Sequence, residues 1–201
     1  WPDDVVDRLR VYEASLRQWR SAVNLVAPRT LDHVWHRHFA DSAQVAAHLP
    51  PAPIHLADLG SGGGFPGLVL AAYLADRGTT RVSLVESDGR KAAFLRETAR
   101  RMEITVDIVS TRIESSATVS RLAGVDTVTA RAFAPLGRLF ALAAPIFAVG
   151  TVGVFLKGES VEREIAEARA DWCFEVALHQ SVTERSGRIA VVRRVEPRTE
   201  T

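Results

Sequence analysis

Residues Asp58 to Gly67 read Asp-Leu-Gly-Ser-Gly-Gly-Gly-Phe-Pro-Gly and follow directly on the apolar run Ile54 to Leu59. A stretch so poor in side chains belongs neither inside a helix nor inside a strand, because each glycine loses backbone freedom on folding without burying anything. It serves where the chain turns tightly or where a ligand lies against bare backbone. Between a strand and a helix, such a loop aims N–H groups into the crevice beyond the strands' carboxyl ends, at a helix N-terminus. This restricts the chain to an α/β fold wound about a parallel sheet.

Periodicity in the rest of the chain agrees. Short apolar runs at about Ile54 to Leu59, Arg81 to Val85, Thr105 to Val109, Val125 to Ala130 and Val149 to Leu156 alternate with helical segments. Those segments are Pro66 to Ala75, Arg90 to Met102, Leu136 to Ala144 and Val161 to Ala170, a βαβ series with Pro66 in a first helical turn. Trp172 to Leu178 and Arg188 to Val195 have no helix between them and are predicted to pair antiparallel at one sheet edge. The expectation is a Rossmann-like, mostly parallel seven-stranded sheet with an antiparallel edge strand. Ahead of it, Val5, Leu9, Tyr12, Leu16, Trp19 and Val23 mark one helical face, and a second helix is predicted over Thr30 to Leu49, with Thr30 as N-cap and Pro50-Pro51 as stop. With 201 residues, 47% of them hydrophobic, the chain can bury one sizeable core. We therefore expect an N-terminal helical cap over 1–50, a core over 51–196 and a loose tail over 197–201.

The second predicted strand runs into Glu86, about 20 residues past the loop, where a carboxylate can accept hydrogen bonds from ribose hydroxyls. Loop and carboxylate together imply an adenosine-type cofactor. Gly62-x-Gly64-x-x-Gly67 also fits the dinucleotide fingerprint, so a nicotinamide-dependent dehydrogenase stays open on these residues. Asp58, two residues before Gly60, completes an Asp-x-Gly-x-Gly-x-Gly form that suits S-adenosylmethionine, and places Asp58, Gly60, Gly62 and Gly64 among the cofactor-binding candidates.

The remaining composition excludes more than it selects. No run of about 18 apolar residues exists to span a membrane, and Trp1-Pro2-Asp3-Asp4 does not read as a signal peptide. Cys173 has no partner for a disulfide or a zinc site, which fits a reducing cytoplasm. Net charge is +1 and only Lys91 and Lys157 are lysines among 25 basic residues, so it is clustering of arginines that would mark a phosphate-binding face. His33, His36 and His38 lie close in sequence, but His38 points away from His33 on one helix and no acidic or cysteine partner completes a metal site. No metal is expected.

Several short motifs in fixed order add a further observation. Asn24-Leu25-Val26-Ala27, Arg37-His38-Phe39-Ala40-Asp41-Ser42, the Asp58 to Gly67 loop, Arg90-Lys91, Phe94-Leu95-Arg96, Arg112-Ile113-Glu114, Arg131-Ala132-Phe133 and Leu156-Lys157-Gly158 run nearly end to end. With them the chain resembles the glucose-inhibited division protein B family of small-subunit ribosomal RNA guanine-N7 methyltransferases. The resemblance implies a class I methyltransferase fold, S-adenosyl-L-methionine as cofactor and 16S ribosomal RNA or the small subunit as partner. A monomer is expected. It implies cofactor contacts at Gly60, Phe65, Ile113, Glu114 and Arg131, with Glu86 at the ribose. The chain departs from the family in carrying Gly-Gly-Gly where a proline is common, and Glu86 where Asp is common.

Guanine N7 carries an in-plane lone pair and attacks a sulfonium methyl without prior deprotonation, so no general base is required. What is needed is alignment and exclusion of water. After the fourth strand there is no Asn-Pro-Pro-Tyr type motif for exocyclic amines and no cysteine for carbon-5 methylation; Arg131-Ala132-Phe133 stands there instead. Arg131 and Phe133 are the positioning candidates. Arg29, Arg37, His38, Arg138 and Lys157 are the candidates for RNA contact, while His38 and Asp41 are also suited to anchor the N-terminal helices to the core or to border the substrate cleft. A non-catalytic RNA-binding scaffold remains the third reading.

Overall fold

The structure is a computed structural model that describes residues 1–51, 54–76, 78 and 80–199. Seven strands form one sheet: β1 (His55–Leu59), β2 (Arg81–Val85), β3 (Asp107–Val109), β4 (Thr127–Arg131), β5 (Val152–Lys157), β6 (Trp172–Gln180) and β7 (Arg188–Pro197). Their order is β3-β2-β1-β4-β5-β7-β6. Pairing is parallel from β3 through β5, while β7 runs antiparallel to both β5 and β6. The hairpin through 181–187 thus inserts the reversed strand beside β5, one place in from the edge, and β6 becomes the edge strand.

Successive strand residues face opposite layers. Leu56, Leu84 and Val154 pack with α1 (Asp3–Trp19), α3 (Gly67–Leu74) and α4 (Gly89–Arg101), whereas Leu59, Val128 and Phe155 pack toward α6 (Leu136–Ala143) and α7 (Val161–Ala168). Both faces are covered, which is why β5 reads as an unbroken apolar run from Val152 to Leu156. α1 shares one hydrophobic cluster with the sheet, through Val5, Leu9, Tyr12 and Leu16. It ends at Trp19 rather than Val23, where the N–H groups of Ala22 and Val23 both donate to the Trp19 carbonyl.

The second helix differs from expectation. It is a chain of short pieces: a 3₁₀ turn at Pro28–His33, a π turn at Trp35–Ala40, the single turn α2 (Asp41–Ala43) and a second 3₁₀ turn at Gln44–His48. Thr30 is no N-cap; it lies within the first turn and its hydroxyl donates to the Ala27 carbonyl at 2.8 Å. The Arg37 carbonyl accepts from Arg131 Nη1 at 3.3 Å, a tertiary bond within the π turn, and π turns commonly occur at functional sites.

A further short helix, α5 (Ser116–Arg121), was not anticipated. It starts at Ser115, whose hydroxyl accepts from the Thr118 N–H at 3.1 Å. At the C-terminus Pro197 still belongs to β7 and the Arg198 N–H donates to the Asp171 carbonyl at 2.8 Å, so the expected tail is partly sheet. Its last two residues, Glu200 and Thr201, lie outside the described residues. Among the described residues no helix is long and apolar enough to cross a membrane.

Candidate active site

β2 and β4 leave β1 in opposite directions, so the crevice at the carboxyl end of β1 is a topological switch point, where open α/β sheets receive ligands. The glycine loop occupies it. Gly60, Gly62 and Gly64 have φ of +65°, +54° and +91°, a region L side chains rarely adopt. A Cβ at Gly60 would also run into the Phe133 ring, and one at Gly67 would fall 2.6 Å from Asp58 Oδ2. The loop is therefore bare by geometric need on both sides.

Two buried side chains brace it from beneath. Asp58, fully buried, accepts from Thr129 Oγ1 at 2.9 Å and from the Gly67 N–H at 3.3 Å, tying β1, β4 and the start of α3 together. Burial raises its carboxyl to about 6, against the hydrogen bonds that lower it. Tyr12 of α1 donates its hydroxyl to the Gly63 carbonyl, and its ring stacks on Phe65 at 5.3 Å. Burial pushes the phenol well above its ordinary value, so it stays a proton donor.

Above the loop lies a cavity of about 510 Å³. Glu86 borders it with both oxygens held: Oε2 accepts from the Gly62 N–H and Oε1 from the Asp88 N–H, each at 2.8 Å. A carboxylate oxygen has two lone pairs, so each retains one for a hydroxyl. Asp88 in turn caps α4, accepting from the N–H groups of Arg90 and Lys91, and Lys91 also borders the cavity.

Arg131 stands at the end of β4 and joins the sheet to the N-terminal segment. Its Nη2 donates to His38 Nδ1 at 2.8 Å, its Nη1 reaches Asp41 Oδ2 at 3.3 Å, and its guanidinium lies 4.7 Å over the Phe65 ring. Burial, then the Arg131 and Arg37 charges, lower His38 to about 4, so the ring is neutral at pH 7. With Nδ1 accepting, Nε2 carries the proton and donates to Thr30 Oγ1 at 2.9 Å. Next along the chain, Ala132 has φ +50°, strained for a residue with a Cβ. Arg131 and Ala132 form the wall between the first cavity and a second of about 440 Å³.

Gly60, Gly62, Phe65, Glu86, Ile113 and Glu114 converge on the first cavity, as do Arg131, Phe133 and Arg138. Arg37, His38 and Lys157 border the second. Three expectations need correction. Asp58 is sealed beneath the loop and braces it instead of touching a ligand. Gly64 faces inward, a Cβ there lying 2.5 Å from the Tyr12 hydroxyl oxygen, so it too borders neither of these two cavities. Lys157 is engaged internally: Nζ donates to the Ala134 carbonyl at 2.6 Å and to Glu164 Oε2 at 2.8 Å, with 10% of the side chain exposed. Arg29 is exposed and borders neither cavity. Sequence reasoning gave Lys91 no role at the site; its place three residues after the capping Asp88 was the available signal. Among the described residues no group of three metal-ligating side chains forms.

One reversed strand beside β5, a glycine loop after β1 and a carboxylate after β2 define a class I, Rossmann-like methyltransferase architecture. Two solved structures share it: a Bacillus cereus O-methyltransferase in complex with SAH (TM-score 0.57, 14% identity, 96% of this chain and 92% of that one), and Aeropyrum pernix fibrillarin with bound S-adenosyl-L-methionine (TM-score 0.56, 16% identity, 78% and 75%). At those identities the likeness is one of fold. Sequence comparison goes further: the rRNA small subunit methyltransferase G (GidB) family matches residues 6–192. Proteins named ribosomal RNA small subunit methyltransferase G are 44% identical in Parvibaculum lavamentivorans, over 94% of this chain and 83% of the relative, and 47% identical in Rhodospirillum rubrum, over 92% and 89%. The chain belongs to the rRNA small subunit methyltransferase G family.

Proposed function

We propose that this chain transfers the methyl group of S-adenosylmethionine to N7 of a guanine in bacterial 16S ribosomal RNA, acting as a monomer in the cytoplasm. The observation that carries the reading is a single cavity of about 510 Å³ bordered both by side-chain-free backbone at positive φ and by a carboxylate with an acceptor site left on each oxygen. That donor set suits an adenosine. When bound, the cofactor supplies an electrophilic methyl on a positively charged sulfur.

The chain's own residues do the rest. Glu86 takes the ribose hydroxyls, and Ile113 and Glu114, beyond β3, border the same cavity and are assigned to the base. Gly60 and Gly62 give the cofactor close approach to the backbone, and Phe65 closes the floor. Arg131 and Phe133 position the reacting groups at the wall with the second cavity. No side chain has to remove a proton, because N7 attacks with a lone pair it already has. The N-terminal residues 1–50 cap the 51–196 core and, with Arg29, Arg37, His38 and Arg138, offer the RNA its contacts.

Radiolabelled transfer to small-subunit RNA, followed by nuclease digestion and mass spectrometry, tests this. The expected product is N7-methylguanine, with free guanosine a very poor acceptor. Methyl on an exocyclic amine, on a ribose hydroxyl or on protein would overturn it. In calorimetry Glu86→Ala should weaken S-adenosylmethionine by about 1 to 3 kcal/mol, the loss of a charged hydrogen-bond acceptor. Preference for a nicotinamide dinucleotide would favour the dehydrogenase reading.

A further inference from the structure

We propose that the second cavity receives the target guanine, and that Asp41 is a positioning residue which holds the Arg131 guanidinium for donation to guanine O6 while leaving N7 open. The proposal rests on the methyltransferase reading above. Its starting point is the shared wall: Arg131 and Ala132 border both cavities, so a base lodged in the second presents one edge to whatever the first contains.

A guanidinium has five N–H donors. In Arg131 three are engaged, toward the Arg37 carbonyl, Asp41 Oδ2 and His38 Nδ1. Two remain for a ligand. The guanine edge that must face the methyl carries two acceptors, N7 and O6, and an arginine left to itself grips both. That grip would occupy the lone pair the reaction needs. The guanidinium must therefore be turned so that it serves O6 alone, and its ties to Asp41 and His38 restrain that turn. Asp41 is itself held, its Oδ1 accepting from Thr183 Oγ1 at 2.8 Å and Gln44 Nε2 at 2.9 Å. The Asp41 and Arg131 side chains are only 20% and 17% exposed, so the pair is little screened by water.

Charge gives a second reason for Asp41. In the transfer N7 gives its lone pair to the methyl carbon, the carbon–sulfur electron pair returns to sulfur, and the positive charge passes to the guanine ring; no proton leaves. A bare guanidinium beside that ring would oppose the step, and the Asp41 carboxylate offsets its charge. Ala132, strained at φ +50°, is the backbone of the wall itself, as expected where a binding geometry is imposed on the chain.

The test is single-turnover transfer to small-subunit RNA carrying either guanine or 6-thioguanine at the position the wild-type protein methylates, with wild type and Asp41→Asn compared. Sulfur is a weaker acceptor than O6, so wild type should slow about tenfold or more on 6-thioguanine. Asp41→Asn should slow by a similar factor on guanine with unchanged affinity for S-adenosylmethionine, and lose less than about threefold more on 6-thioguanine, since coupled groups do not add. Equal rates of wild type on both bases overturn the proposal, as does a full additional loss in Asp41→Asn. If Asp41→Asn fails to fold, the wild-type comparison decides alone. If wild type places no methyl on N7 of guanine RNA, it is the methyltransferase reading itself that fails.

Discussion

Asp58 carries a carboxylate that water does not reach, held by the Thr129 hydroxyl and the Gly67 N–H. Its motif position identified the loop but left the side chain's direction open. Strand parity held the answer: Ala57 and Leu59 face the α6 layer, so Asp58 faces the other, where α3 begins at Gly67. Its pKa of about 6 lies above the unfolded value of 3.8. A carboxyl raised on folding gives its full stability below the unfolded pKa and loses it as pH rises through the folded one. Relative to Asp58→Asn, wild type should thus lose on the order of 2 to 3 kcal/mol between pH 4 and pH 7, then hold level. Denaturant unfolding of both proteins across that range checks this, and parallel pH curves would mean that Asp58 is not desolvated.

Among the elements, those whose pattern is set by local burial were legible, and those bent by a distant partner were not. α1 and the central strands follow from apolar spacing alone. The pieces of Pro28–His48 do not, because the Arg37 carbonyl is taken by an arginine 94 residues away, on β4. Lys157, at the end of β5, was hidden for the same reason: its partner Glu164 lies on α7, and both are nearly covered, at 10% and 13% exposure. Burial alone would raise the Glu164 carboxyl, but bonds from Lys157 and Ser160 outweigh it and hold the group below its ordinary value. Glu164 Oε2 also accepts from the Leu136 N–H at 3.1 Å, and Lys157 Nζ donates to the Ala134 carbonyl, so this pair anchors the segment that follows Phe133. Lys157→Ala leaves a covered carboxylate without its cation and should cost about 3 kcal/mol of stability. The salt dependence of RNA binding should stay as in wild type, and a reduced slope without destabilisation would restore Lys157 as a phosphate contact.

For the whole molecule, a net charge of +1 gives little general attraction to RNA, so binding depends on which cations are left unpaired near the cavities. Arg8, Arg17, Arg100 and Arg121 are tied to carboxylates on surfaces built by the helices and β3. Arg37 is held by Glu184 at 2.7 Å and can pass to a phosphate only by exchanging that partner. Arg29 and Arg138 are exposed and make no ion pair among the described residues. Arg29 sits on the Pro28–His33 turn, next in sequence to Thr30 of the second cavity, and Arg138 borders the first. An RNA strand that puts its guanine in the second cavity then has an unpaired cation near each cavity for its backbone. Each phosphate so neutralised releases counterions and adds about one to the slope of log affinity against log salt, or somewhat less on single strands. Arg29→Ala should therefore weaken RNA binding, flatten that slope by about 0.7 to 1 and leave S-adenosylmethionine affinity unchanged, because Arg29 borders no part of the cofactor cavity. Arg17→Ala, which removes a cation already paired with Glu13, should leave the slope where it was. Filter binding across a salt series measures both, and equal slopes for wild type and Arg29→Ala would remove this edge of the N-terminal segment from the RNA-binding face.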